Sequence, residues 1–294
     1  MADELIVSVV AFAASLALAP LARSLALRLK IVDDPTPSGS LKIHTRAVPL
    51  LGGVVAVTSV FLALFFTAES FDIGILIGTL LALIVGLVDD IRPLSVWPRL
   101  LLLGVAGAVV SVALLPDWHV VPAIGIAMLA ICTANGVNIV DGQDGLAGGL
   151  VVLSAVGLSL ALPSEEGGMI ALGFALAGGT LGFLIWNRPP ARLFLGNNGA
   201  YALGVLLGLL SSVLIMSRGM RGLFAAGAFL GIFAFEVVWS LLRRRRLNQP
   251  LTAGDRSHTY DLLAARLHGR GKATLVFYAI GTVLTVLGLV ITYA

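Results

Sequence analysis

The chain has 294 residues, 58% hydrophobic and 12% charged, with a net charge of +3 and a mean hydropathy of +1.01. Soluble domains are about 45–50% apolar and about 25% charged, so half the ordinary charge is missing. That excludes a disordered chain, a secreted disulfide scaffold and an ordinary cytosolic enzyme, and the single cysteine, Cys132, forms no internal disulfide.

A bilayer-spanning helix needs about 20 mainly apolar residues. Ten stretches qualify: 4–22, 48–67, 72–88, 99–116, 120–138, 146–162, 168–186, 199–216, 222–242 and 273–293. The expectation is an all-α integral membrane protein, one polytopic domain over 1–294 with about ten transmembrane helices. The first stretch opens on Asp3 and Glu4, where a secretion signal carries basic residues, and is read as a retained helix bent at Pro20.

Lysines and arginines in alternate loops set the orientation. Only Arg218 and Arg221 fall on one side; the other 17 of 19 lie in 23–46, 89–99, 187–192 and 243–272. That face is expected to be cytoplasmic, with both termini outside. Gly74/Gly78, Gly204/Gly208 and Gly227/Gly231 show the spacing that lets helices approach closely, and such faces permit a homodimer. The run Arg243–Arg246 suits anchoring to an anionic membrane surface.

Apart from Glu236, every acidic residue sits in a loop or at a helix end, unlike the mid-membrane charges of pumps and transporters. Polar residues gather instead on the cytoplasmic side. Asp89 and Asp90 repel one another and need a cation or basic group near lipid; hydrated charges paired with Arg92 are the bland alternative. If the fifth helix continues, Asn135, Asn138, Asp141 and Asp144 form a polar stripe at i, i+3, i+6 and i+9, suited to a nucleotide's amide and hydroxyl groups. Interhelical hydrogen bonds plus a turn would explain the same residues. Gly196-Asn197-Asn198-Gly199, the Asp255–His258 run, and Lys42, His44 and Arg46 complete the set. Together they suggest a membrane-surface active site for a charged, water-soluble substrate. His119 and His268 are assigned no role.

Four motifs in order carry a resemblance: Gly86–Ser95 with Asp89-Asp90, Asn135–Ala147 with its Asn/Asp spacing, Leu193-Phe194-Leu195-Gly196-Asn197-Asn198-Gly199, and Asp255-Arg256-Ser257-His258. Together with Lys42–Gly53 upstream, the chain resembles the polyprenyl-phosphate N-acetylhexosamine-1-phosphate transferases, a superfamily that includes the phospho-MurNAc-pentapeptide translocases. The resemblance implies transfer of a sugar 1-phosphate from a UDP-N-acetylhexosamine to undecaprenyl phosphate at the inner (plasma) membrane, with release of UMP, magnesium (or manganese) as cofactor, membrane lipid as neighbour and no nucleic acid. It implies that Asp89 and Asp90 are catalytic, positioning the lipid phosphate, with Asp89 also near the metal. Asn138, Asp141 and Asp144 would line the uridine and sugar-phosphate site. Phe194 would stack on uracil, and Arg256 and His258 would hold diphosphate or sugar. Lys42, His44 and Arg46 would neutralise phosphate.

Three departures qualify this. The family places a magnesium-binding Asp where this chain has Asn197, whose amide offers oxygen without charge. An inactivating substitution, which the intact remainder of the site favours, or a divergent metal site would explain it; poor turnover, restored by Asn197→Asp, is expected. The histidine-rich last loop of many relatives reads His258-Thr259-Tyr260-Asp261, and the longer loop of the MurNAc-pentapeptide enzymes is absent, favouring a simple UDP-N-acetylhexosamine or deoxy derivative for priming surface glycan. The alternatives from other classes are a lipid-linked sugar carrier and a non-catalytic nucleotide-sugar binder.

Overall fold

The computed structural model describes residues 2–35, 46–67, 69, 71–115, 119–250 and 257–294. Its helices are α1 (Ala2–Leu29), α2 (Gly52–Phe66), α3 (Ile73–Ile91), α4 (Val96–Leu114), α5 (Val120–Val140), α6 (Leu146–Ala161), α7 (Gly167–Asn187), α8 (Gly196–Phe229), α9 (Gly231–Arg246), α10 (Thr259–Arg266) and α11 (Arg270–Tyr293). A short antiparallel pair, β1 (Val32–Asp33) and β2 (Val48–Pro49), joins α1 to α2, with Val32 opposite Pro49 and Asp33 opposite Val48.

Seven of these helices (α1, α3, α4, α5, α7, α8 and α11) are long and apolar enough to cross a bilayer, while α2 and α6 are shorter apolar helices. The protein is thus an all-α, multi-pass membrane bundle. Backbone groups in lipid must be satisfied within the helix, and hydroxyls follow the same rule. Ser59, Thr79, Thr133, Ser159, Ser212 and Thr292 each donate to the carbonyl four residues earlier.

At the centre stands α8, packed against α2, α3, α5, α6 and α11. Of its most apolar stretch 89% is buried, against 22% for α1 and α11 at the rim. Gly204 and Gly208 make the close approach possible: a Cβ on Gly204 would lie 2.4 Å from Ala134 Cα, and one on Gly208 would lie 3.1 Å from Ala130 Cα. The expected Gly204/Gly208 pair therefore seats α8 on α5.

Three expectations change in detail. The first helix continues through Pro20 to Leu29, well past residue 22. The third runs to Ile91 and so carries Asp89 and Asp90 in its last turn, where 72–88 was expected. The ninth apolar stretch, 222–242, is not one rod, because it breaks at Leu230 before α9 begins. The chain turns at Gly219 (φ +57), between the eighth and ninth stretches as expected, where Gly222 comes against the Leu214 carbonyl. Arg218 and Arg221 flank that turn, and the Arg218 guanidinium lies 5.6 Å above the Tyr293 ring. The C-terminus and this turn therefore share the end of the bundle opposite Asn197.

Candidate active site

Asp89 and Asp90 are adjacent on α3, so their side chains leave the helix in different directions. Asp89 is 6% exposed and turned inward. Its Oδ1 accepts the Leu94 N–H at 2.6 Å, and its Oδ2 accepts the Tyr201 hydroxyl at 2.6 Å. The Arg99 guanidinium stands 3.8 Å from the same Oδ2 and 5.9 Å above the Tyr201 ring.

Asp90 faces the other way, across the start of α8. Its Oδ1 accepts the Asn197 N–H at 2.9 Å, and its Oδ2 accepts the Asn198 N–H at 3.1 Å and the Asn198 amide at 2.6 Å. The first N–H groups of a helix have no partner within it, and the helix dipole favours an anion there. Asp90 supplies both needs from a neighbouring helix. The junction depends on Gly196, which sits at φ +74 and whose Cβ would fall 2.8 Å from Asp90 Oδ2.

The inner end of α5 closes the third side. Asn138 donates its amide N–H to Asn197 Oδ1 at 2.5 Å. The helix stops at Val140, with Asp141 as its C-cap, so the stripe expected to continue through Asp144 ends here. Asp144 lies instead in the following turn, where its Oδ2 accepts the Ala191 N–H at 2.9 Å. Burial, then the negative charges of Asp90 and Asp144, push the Asp141 carboxyl well above the ordinary carboxylate range. Asp141 thus lies within electrostatic reach of both Asp90 and Asp144.

Phe194 is held just before α8 by its backbone: its N–H donates to the Pro49 carbonyl at 2.8 Å, and its carbonyl accepts the Gly52 N–H at 2.9 Å. Its ring is partly exposed. His258, 7% exposed, stacks on Tyr260 with ring centres 5.3 Å apart, and the Tyr260 hydroxyl donates to the Ile139 carbonyl at 2.8 Å. The start of α10 thus reaches α5 one residue beyond Asn138. Arg46 is exposed where the chain enters β2. Lys42, His44 and Arg256 lie outside the described residues.

Several site residues escape a reading of the sequence. Asn187, 3% exposed, accepts the Gly145 N–H at 2.9 Å and donates to the Leu193 carbonyl at 3.0 Å, tying the turn after α5 to the strand of chain before α8. Tyr201 holds Asp89 from inside an apolar run. Neither carries a sequence signal beyond being a polar group next to hydrophobic ones. Glu236 did: it is the one carboxylate embedded in an apolar stretch.

The profile of glycosyl transferase family 4 matches residues 72–215, the segment that supplies α3, α5 and most of α8. Across its whole length the chain is 31% identical to the probable undecaprenyl-phosphate N-acetylglucosaminyl 1-phosphate transferase of Bacillus subtilis, covering 88% of that protein. The chain belongs to glycosyl transferase family 4. Other members of family 4 resemble it to a similar degree. It is 29% identical to the undecaprenyl-phosphate alpha-N-acetylglucosaminyl 1-phosphate transferase of Thermotoga maritima, over 90% of this chain and 83% of that one. It is also 32% identical to the phospho-N-acetylmuramoyl-pentapeptide-transferase of Symbiobacterium thermophilum, over 95% of this chain and 92% of that one.

Among the described residues, no three His, Cys, Asp or Glu side chains close on a common point. Zinc and calcium cages are built from such clusters. Magnesium asks for less: one or two carboxylates, with water and substrate phosphates completing the shell. Asp141, whose charged form its neighbours disfavour and a cation would favour, and the amide oxygens of Asn138 and Asn197 fit that requirement. Asp89 has both oxygens engaged by Leu94 and Tyr201, and Asn197 Oδ1 is engaged by Asn138, so a cation would displace a hydrogen bond at either.

Proposed function

We propose that the protein transfers an N-acetylhexosamine 1-phosphate from a UDP-sugar to a polyprenyl phosphate, releasing UMP, on the cytoplasmic face of the plasma membrane. The observation that carries this reading is the meeting of Asp90, Asn138 and Asn197, from the ends of three helices far apart in sequence, at one end of an apolar bundle, with Asp141 at the C-cap of the same helix as Asn138. Names borne by the relatives from Bacillus subtilis and Thermotoga maritima point to the same reaction. A cup at the helix ends lets a lipid phosphate arrive from the bilayer and an anionic nucleotide arrive from water.

In this reading ten spans thread the bilayer. The pair α8 and α9 divides at the Gly219 turn, and α2 and α6 are short spans. The abundance of Lys and Arg at the Asn197 end makes that end cytoplasmic, and both termini lie outside.

The transfer needs an oxygen of the lipid phosphate to attack the sugar-bearing phosphorus. The bond from that phosphorus to the bridging oxygen breaks, and the bridging oxygen leaves on UMP. A phosphate monoester loses its second proton at about pH 6, so at neutral pH the nucleophile is already charged. The protein's task is positioning and charge neutralisation. Magnesium, when bound by Asp141 with the Asn197 and Asn138 oxygens, supplies positive charge to the phosphate oxygens. Asp90 holds the α8 N-terminus against this point, Asp89 fixes the end of α3, and Phe194 offers a ring face to uracil. Asp144 braces the 188–192 segment. His258 contributes a ring nitrogen that accepts from the sugar's hydroxyl or amide N–H, with Lys42, His44, Arg46 and Arg256 as the basic groups toward the diphosphate.

A second reading rests on Asn197. With an amide where a carboxylate would stabilise the cation, the protein would bind a UDP-sugar and turn it over slowly or not at all. Radiolabelled UDP-N-acetylglucosamine, undecaprenyl phosphate and magnesium in detergent separate the two. Lipid-linked label with equimolar UMP marks the transferase. Nucleotide-sugar binding without product marks the second reading, and neither binding nor product would sink both.

A further inference from the structure

Glu236 is a carboxylate at 0% exposure inside a chain that otherwise keeps its acids at helix ends. Burying a charge without partners costs several kcal/mol, so its neighbours explain why it is there. Ile232, Glu236 and Ser240 follow one another at i, i+4 and i+8 down one buried face of α9. That face meets the start of α10.

Each Glu236 oxygen has a distinct environment. Oε1 accepts the Thr259 N–H at 3.2 Å and also the Thr259 hydroxyl, so the carboxylate caps α10 at the positive end of its dipole. Oε2 lies 3.4 Å from His258 Nδ1, and Ser240 Oγ lies 3.2 Å from the same nitrogen. The imidazole is held on its face as well. It stacks nearly parallel on Tyr260, at 7° between planes, and Tyr260 is fixed to α5 through the Ile139 carbonyl and the Gln143 amide, which donates to the Tyr260 carbonyl at 3.1 Å. A Cβ on Gly142 would sit 2.1 Å from the Tyr260 hydroxyl oxygen, so the fit of this ring against the end of α5 leaves no slack.

We infer that Glu236 is a positioning residue for the transfer: with Ser240 it holds His258 by Nδ1, fixing the ring and its proton there, so that Nε2 is the nitrogen presented to the nucleotide-sugar. The inference rests on the proposed reaction for its catalytic consequence and on the geometry alone for the pairing. Glu236 Oε2 makes no hydrogen bond of its own, so Ser240 Oγ carries the hydrogen bond at Nδ1 and the carboxylate 3.4 Å away favours a proton there. A proton on Nδ1 gives the ring one tautomer and one orientation, and outer partners of this kind typically matter by roughly 10- to 100-fold when removed. The same carboxylate couples α9 to α10, so the ring cannot turn without uncapping the helix.

The test uses the full chain in detergent, carrying Asn197→Asp as background so that turnover is measurable. Glu236→Gln keeps the acceptor for Thr259 but removes the charge facing Nδ1, and it should retain the melting temperature of the parent. It is expected to lower kcat/KM for UDP-N-acetylglucosamine by roughly 10- to 100-fold. His258→Gln should cost as much, and the double variant no more than either single one. Nitrogen NMR of histidine-labelled protein, with the His258 signal assigned by its loss in His258→Gln, reads the pairing without turnover. A proton on Nδ1 in the parent and a changed tautomer balance in Glu236→Gln support the inference. Multiplicative losses in the double variant, or a His258 spectrum indifferent to Glu236, overturn it. If no form turns over, the proposed reaction fails, and the spectrum still decides the pairing.

Discussion

The Tyr201 hydroxyl donates to Asp89 Oδ2 at 2.6 Å, linking the fully buried interior of α8 to the last turn of α3. Since Leu94 N–H occupies the other oxygen, Asp89 ties the end of α3 to the interior of α8, while Asp90 caps the start of α8. Tyr201→Phe removes one donor and leaves a buried carboxylate underpartnered, at a cost of about 1–3 kcal/mol. A thermal melt in detergent should fall by several degrees, while Asp90→Asn, which weakens the α8 cap at the cup itself, should cost turnover more than stability. A Tyr201→Phe protein that melts with the parent would contradict that tie.

Asn197→Asp places a carboxylate where Asn138 Nδ2 already donates. It should tighten magnesium binding and raise product formation at least tenfold, the change worth about 1.4 kcal/mol in the transition state. Product quantified on lipid extracts, with magnesium titrated for both forms, checks this. Equal rates and equal magnesium dependence would mean that the position is not part of the cation site.

Gly196→Ala strains the backbone at φ +74, at about 1–2 kcal/mol, and puts a methyl group against Asp90 and Asn198. The cap on α8 opens as a result. Binding of a fluorescent UDP derivative should be lost while the bundle still melts cooperatively. Unchanged binding would show that the Gly196 turn does not shape the cup.

The raised Asp141 carboxyl gives a pH signature. Its proton is held more tightly in the folded protein than in the unfolded chain, so metal-free stability falls as pH rises from the ordinary carboxylate range through the raised value. A bound divalent cation displaces that proton and reverses the penalty. Melting with and without magnesium between about pH 5 and 8 should therefore show a stabilisation by magnesium that grows with pH. Asp141→Asn should flatten that trend; a magnesium effect independent of pH would contradict it.

Much of the site is legible in sequence because a helix end in a membrane protein is visible as the place where apolar residues give way to polar ones. Asp89-Asp90, Asn138 and Asn197 each stand at such an edge. What is not legible is which way they point. The stripe expected over Asn135–Asp144 assumes a continuous helix, and α5 instead stops at Val140 before the Gly142 turn, which sends Asp144 to the Ala191 backbone. Asn187 and Tyr201 look like an interface amide and a core aromatic until their partners are known.

The membrane class, the helical architecture and the end of the bundle where polar residues gather follow from sequence alone, because hydropathy and the placement of charge are properties of local stretches and lipid tolerates few alternatives. Tertiary structure alone decided which helix is central. The spans look equally apolar, yet α8 is buried all round while α1 and α11 face outward, since in lipid a core helix and a rim helix need the same composition and differ only in their neighbours. It also decided the separate partners of two adjacent aspartates, through contacts across more than a hundred residues of chain.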